Sequence, residues 1–322
     1  MDAKDVRIFC EMAFKGLDYD SFTDRRVSPL AIGRKLGLDE KTVRVRVNKM
    51  EEDGFIKYYQ AMPSLVLFNL NRINSYRFEA VNIVTKHRVI EDLPGVPYII
   101  EAIDYLGQVI SVSIAGTTSE QIEGVVAKLA NRFELSRMIL GKHSPKEPAL
   151  LPDKLDWQII QKLRYDALSS LKDLSESLSV TPRMVEYRIT KLLDSGALLI
   201  RAIINTQKQQ GLIFYELEMS IDEPRQFEVV KKLSEMYGEK LWSVRTSATV
   251  GVLLANFFGF TLAEPEDAAV KALRLEGVRS CSIFIFKETI EPQRPNWMDN
   301  LIEQKILSFK SSEFGRPKDK VV

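Results

Sequence analysis

The sequence predicts an α+β protein built from two like halves. Three observations carry that prediction. First, residues 39–59, DEKTVRVRVNKMEEDGFIKYY, and residues 181–201, TPRMVEYRITKLLDSGALLIR, align without gaps. Val43, Arg46, Lys49 and Gly54 fall on Val185, Arg188, Lys191 and Gly196 at a constant offset. That offset is far longer than the repeat of a stacked solenoid. Second, each half opens with helical periodicity and then changes to the two-residue period of strands. Third, GKHSPKEPALLPDK (141–154) has three prolines and no periodicity, the composition of a linker. The halves therefore run over residues 1–148 and 149–310.

Taken in order, DVRIFCEMAF (5–14) and DWQIIQKLRY (156–165) read as opening helices. Additional residues, KGLDYDSFTDRRVS, separate the first from its successor. Second helices are predicted at PLAIGRKLG (29–37) and LKDLSESLS (171–179). Ser28 before Pro29, and Thr181 before Pro182, pair a capping hydroxyl with a first-position proline. Third helices begin at Asp39 and Thr181 and end at Gly54 and Gly196, glycines suited to a left-handed cap. Strands follow at 75–81, 96–104, 109–116 and 135–142, with helices at 85–92 and 118–132. The second half repeats this, with strands at 213–221, 241–248, 250–258 and 278–286 and helices at 224–237 and 265–275. The order β-α-β-β-α-β, met twice, is the ferredoxin-like pattern. NWMDNLIEQKILSF (296–309) reads as a closing amphipathic helix.

Composition bounds the function classes. The chain has 322 residues, 45% of them hydrophobic and 28% charged, with a net charge of +1. A nucleic-acid site must then be a local patch, since no global positive field exists. Cys10 and Cys281 follow no ligand spacing, so no metal is expected and a reducing compartment fits. No apolar leader opens the chain, and VGVLLANFFGF (250–260) is too short to span a bilayer and reads as a buried strand. The expected location is the cytoplasm.

Three helices with a short turn before the last form a helix-turn-helix, whose last helix suits the major groove. Val43, Val47 and Met50 mark the buried face of the first copy. Lys41, Thr42, Arg44, Val45, Asn48 and Lys49 point away or flank it. In the second copy Val185, Ile189 and Leu192 are buried, and Thr181, Arg183, Glu186, Tyr187, Arg188 and Lys191 lie toward the outside. Lys and Arg suit guanine or phosphate, and Thr suits either base edges or phosphate. Arg34, Lys35, Lys57 and Lys172 are the expected backbone contacts. IKYYQAM (56–62) and LLIRAII (198–204) follow as wings would. For Arg46 and Arg188 a structural ion pair stands beside a phosphate contact, and a solvated basic face stands as the plain alternative to a DNA surface. The second copy, with Glu186 and the acidic LKDLSESLS, is the weaker reader.

These motifs, V-x-x-R-[VI]-x-K-[ML]-x-[ED]-[DS]-G-x-[IL] above all, together with LDWQIIQKLRYDA, resemble those of the Lrp/AsnC transcription regulators. The resemblance implies winged helix-turn-helix domains at 1–62 and 155–208 and ferredoxin-like sensing domains at 63–145 and 209–292. A linker occupies 146–154 and a helix with a tail 293–322. It also implies double-stranded DNA as partner, an effector such as an amino acid, and pairing through the sensing domains. The paired unit is either a homodimer or a pseudo-dimer of the two halves. The family's acidic turn between the second and third sensing strands is displaced here. Asp104 and Gly107 are its remnant and the candidate effector residues. Siroheme decarboxylases resemble the same architecture and look to depend on histidines and aromatics in the strand pair of the sensing domain, here VPYIIEAIDYLGQVISVSI. His87 and His143 lie elsewhere, and the common catalytic signatures are missing. The expectation is a regulator with no cofactor and no enzymatic activity. A protein-interaction or chromatin-like module is the alternative.

Overall fold

The computed structural model describes residues 1–13, 29–205, 208 and 211–313. The first head comprises α1 (Ala3–Ala13), α2 (Pro29–Leu36), α3 (Glu40–Glu52) and β1 (Ile56–Pro63). Ser28 and the segment after α1 lie outside the described residues. A βαββαβ unit follows: β2 (Arg72–Glu79), α4 (Ile83–Asp92), β3 (Ile99–Tyr105), β4 (Val109–Gly116), α5 (Ser119–Phe133) and β5 (Ser136–His143). The second head is α6 (Lys154–Leu163), α7 (Leu171–Leu178), α8 (Pro182–Asp194) and β6 (Leu198–Ile204). The second βαββαβ unit is β7 (Ile213–Ile221), α9 (Gln226–Tyr237), β8 (Leu241–Thr246), β9 (Val252–Gly259), α10 (Ala263–Leu273) and β10 (Val278–Thr289). Helix α11 (Trp297–Glu313) closes the chain. The fold is α+β, two winged helix-turn-helix units alternating with two ferredoxin-like units.

Each ferredoxin-like unit has the same strand order, β5-β2-β4-β3 and β10-β7-β9-β8. Alternation along each strand separates the faces. Tyr76, Phe78, Ile110, Val112 and Ile114 pack under α4 and α5. Tyr215, Leu217, Met219, Leu253, Ala255 and Phe257 do the same under α9 and α10. Strands β3 and β10 pair antiparallel, from Phe286 opposite Tyr105 to Thr289 opposite Ile103. They join the two units into one eight-stranded sheet.

That sheet is folded on itself. Arg77 on β2 bonds Glu216 and Glu218 on β7. Four inter-strand steps separate these strands, about 19 Å in a flat sheet. Side-chain contact requires the two four-stranded layers to face each other. The outer edges also meet, since the Ala248 amide donates to the Leu140 carbonyl at 3.0 Å. The Ser247 and Thr249 hydroxyls donate to the Ile139 carbonyl.

The heads are exchanged between the halves. The first head's core, with Val6, Phe9, Ile32, Val43, Met50 and Phe55, continues into Leu212, Phe214 and Phe258 of the second half. The second head's core, with Trp157, Ile160, Val185, Ile189 and Leu192, continues into Leu65, Leu67, Leu70 and Ala115 of the first. Phe257 and Phe258 face opposite sides of β9, yet both are buried, one under the outer helices and the other under the first head. Helix α11 buries Met298, Ile302 and Ile306 against the second head. Its Trp297 indole donates to the Ile99 carbonyl at 3.1 Å.

Candidate nucleic-acid interface

The turn before α3 is set by close approach. The Leu38 amide donates to the Gly33 carbonyl at 2.8 Å. A Cβ on Gly33 would lie 2.5 Å from the Leu38 carbonyl oxygen, so only glycine lets the turn settle on α2. Gly37 takes φ +66° to reverse the chain. Asp39 then caps α3, accepting from the Thr42 amide at 2.8 Å and the Thr42 hydroxyl at 2.5 Å. Hydrogen bonds from the Thr42 hydroxyl and amide hold the Asp39 carboxyl below its ordinary pKa. In the second head Thr181 caps α8, accepting from the Met184 amide at 3.2 Å, and Ser179 supplies the left-handed turn at φ +55°.

Val43 and Met50 are buried, and Lys41, Arg44, Val45, Asn48 and Lys49 are exposed, so α3 carries a basic outer face. Thr42 is half-buried, its hydroxyl engaged by the cap. Arg44 pairs with Glu40 one turn back at 2.5 Å, a surface pair that a phosphate can displace at little cost. Arg34 is exposed, and Lys35 is 2.6 Å from Glu11 of α1. Lys57 lies 2.5 Å from Glu291, beyond the end of β10. On α8, Thr181, Arg183, Glu186, Tyr187 and Lys191 are exposed. Met184 stands 41% exposed on the same helix as Tyr187 at 59%. Lys172 is at 4.0 Å from Glu176 on α7.

Arg188 does not join that face. Its guanidinium lies 2.5 Å from Asp153 and 3.1 Å from Asp156, at the start of α6. Arg46 makes the same clamp to Asp2 and Asp5, at 2.9 and 2.6 Å. The position shared by both recognition helices ties the last helix of each head to its first. The ion-pair reading of Arg46 and Arg188 therefore replaces a phosphate contact.

The wings differ from expectation. Strands β1 and β6 pair with each other, from Ile56 opposite Ile204 to Pro63 opposite Leu198. Each head contributes one strand, and an edge strand left alone would expose its unpaired amides and carbonyls. Equivalent strands running antiparallel place a local two-fold axis through the ribbon, near Tyr59–Gln60 and Arg201–Ala202. Helices α3 and α8 are thus related across one two-stranded ribbon.

The candidate effector residues lie elsewhere. Asp104 is fully buried, 2.5 Å from Lys86 and 2.8 Å from Lys287. The Lys86 ammonium also donates to the carbonyls of Tyr105 and Gly107. Asp104 and Gly107 are held by protein groups in this triad, which joins α4 to β3 and β10. Lys86, buried on a helix, was not singled out from the sequence. Among the described residues no group of His, Cys, Asp and Glu is arranged to hold a metal ion. No described helix is long and apolar enough to cross a membrane.

With this geometry in place, residues 23–57 match the winged helix-turn-helix DNA-binding family. The match covers the turn and α3. No curated protein matches the chain. Among solved structures, the siroheme decarboxylase NirDL is similar over 95% of this chain and 99% of its own, with a TM-score of 0.53 at 13% identity. Its co-complex with an iron-uroporphyrin III analogue is similar over 90% and 97%, at 0.50 and 14%. AsnC of E. coli covers 42% of this chain and 92% of its own, at 0.35 and 16%. At these identities the likeness is one of fold. It still overturns one expectation. Missing histidines led to a reading without enzymatic activity, yet an architecture of the same length and order is that of an enzyme. Residue inventory on the sensing strands cannot exclude catalysis on a fold that supports it.

Proposed function

We propose that the chain is a DNA-binding transcription regulator of Lrp/AsnC type that reads duplex DNA through the outer face of α3. The observation that carries this reading is the exposed row of Lys41, Arg44, Val45, Asn48 and Lys49, on the last helix of a unit that matches a DNA-binding family. Asn48 suits adenine, Val45 the thymine methyl, and the cations guanine or phosphate. Arg34 and Lys35 flank the groove from the end of α2. The second head adds Arg183, Tyr187 and Lys191 across the β1–β6 ribbon. Because its face differs, the site read is asymmetric. The protein works in the cytoplasm, and a small-molecule effector acts through the ferredoxin-like units.

The test is titration against pooled genomic fragments at two salt concentrations, with sequencing of the bound fraction. A defined site surviving the higher salt supports the reading, and uniform loss of binding with salt removes it. Lys41→Ala with Arg44→Ala should weaken binding and reduce the slope of log affinity against log salt by about 2. An unchanged slope would mean that α3 is not the reading helix.

The full-length likeness to a siroheme decarboxylase favours a second reading, an activity on a tetrapyrrole. Absorbance titration with iron-uroporphyrin III decides it. A saturable shift of the porphyrin band supports it, and an unperturbed band discards it.

A further inference from the structure

The space between the two facing sheets is lined by charge and hydroxyl groups. Arg77 is 5% exposed and Glu216 is fully buried. The Arg77 guanidinium bonds Glu216 and Glu218, and lies 3.7 Å from the centre of the Phe284 ring. Arg245 reaches Glu216 at 3.1 Å. Ser75 and Ser113 share a hydrogen bond at 2.8 Å, and the Asn256 amide donates to Ser243 at 2.8 Å. Burying this many polar groups is costly unless each finds its partner. A layer interface needs no charges to be stable, so their placement calls for an explanation.

Register supplies it. Strands β4 and β9 end at Gly116 and Gly259 in equivalent places. Counting back, Ser111 matches Leu254 and Ser113 matches Asn256. Arg77 lies opposite Ser111 and Ser75 opposite Ser113. Glu218 lies opposite Leu254 and Glu216 opposite Asn256. Arg77 and Glu218 therefore occupy the same position in the two halves, as do Ser75 and Glu216. Within the Arg77–Glu216–Glu218–Arg245 cluster the first half contributes a single positive charge. The second offers two negative charges and Arg245, a net single negative charge. First half against second is neutral. Either half against its own copy would bury two like charges in excess.

We propose that this charge pattern makes the interface heterotypic: each half accepts the other and rejects itself, so the chain closes as a monomeric pseudo-dimer. The partner of each layer is the opposite half of the same chain. The Arg77–Glu216–Glu218 lock discriminates against a second copy of the same layer. This inference stands on the layer interface alone and does not depend on DNA binding.

The test uses the full chain. Arg77→Glu leaves like negative charges in excess at the interface, and Glu218→Arg leaves like positive charges. Each single variant should lose about 10 °C of melting temperature. The double variant Arg77→Glu with Glu218→Arg should recover most of that loss. Recovery separates charge pairing from a simple packing defect. Differently tagged Arg77→Glu and Glu218→Arg chains are then produced together. Only pairing between chains matches opposite charges, so a one-to-one complex of twice the chain mass should co-purify. Tagged wild-type chains should not co-purify with each other. The proposal is overturned if the double variant is no more stable than the singles. It is equally overturned if the singles melt as wild type, if the mixed pair forms no complex, or if wild-type chains assemble.

Discussion

Arg46 and Arg188 stand at the same place in the two heads and make the same contact, each clamping two carboxylates at the start of the head's first helix. Replacing Arg188 by alanine leaves Asp156, 3% exposed, without its cation. The expected cost is about 1–3 kcal/mol of stability, read by urea unfolding, with DNA affinity per folded molecule unchanged. The clamp also sets an acid limit. Burial alone would raise the Asp153 carboxyl, but the Asp156 amide and the Arg188 guanidinium outweigh it and hold its pKa below the ordinary value. Asp2 behaves alike, with burial opposed by the Asp5 amide and Arg46. A folded-state pKa below the unfolded one contributes stability that is present above about pH 4 and lost as pH falls through the folded value. Melting temperature measured from about pH 6 down to pH 3 should drop for the wild type and drop less steeply for Asp153→Asn, since Asp2 in the other head still titrates. Equal slopes would show that the clamp is not the titrating element. The sequence left two roles open for these arginines, because a basic residue on a recognition helix looks the same whether it faces DNA or a carboxylate many residues away.

At the scale of the element, helices and strands were legible because local rules decide them. Strand β4 spans Val109–Gly116 as predicted from VISVSIAG, and β7 spans Ile213–Ile221 as predicted from IFYELEMSI. The glycines closing α3 and α8 take φ +74° and +73°, as their C-terminal positions implied. The wings were not legible, since each was read as belonging to its own head. A strand's period reports that it has a buried face, not which strand lies beside it. Gly33 shows a further limit, because nothing local marks it as the point where the turn touches α2. Gly33→Ala should force the Leu38 carbonyl away and cost about 1–3 kcal/mol, with α3 displaced and DNA binding lost in step. Binding retained at wild-type affinity by the alanine variant would show that the turn can yield without moving the recognition helix.

At the scale of the molecule, the like order of elements in the two halves could be read from a constant offset, but the exchange of heads could not. Trp157 and Ile160 announce a buried helix face; that Leu65 and Leu67 of the other half cover it depends on distance in space. Arg77, Glu216 and Glu218 were passed over for the same reason: alone, each is an ordinary charge on an alternating strand. The exchange makes the two halves mutually dependent, since each head completes its core on the opposite half. It also ties α3 and α8 to one another through the β1–β6 ribbon, so that under the proposed function a DNA site engaged by one head would position the other. The covalent link between the halves should then be dispensable once folding is complete. Ser144, Lys146 and Glu147 are exposed between β5 and α6. A protease site placed at 144–147 of the full chain should be cut without release. The two fragments should co-elute at the mass of the intact chain and unfold in one transition. The DNA affinity of the cut protein should match that of the uncut. Fragments that separate after cleavage would mean that the linker, and not the crossed cores with their buried charges, holds the halves together.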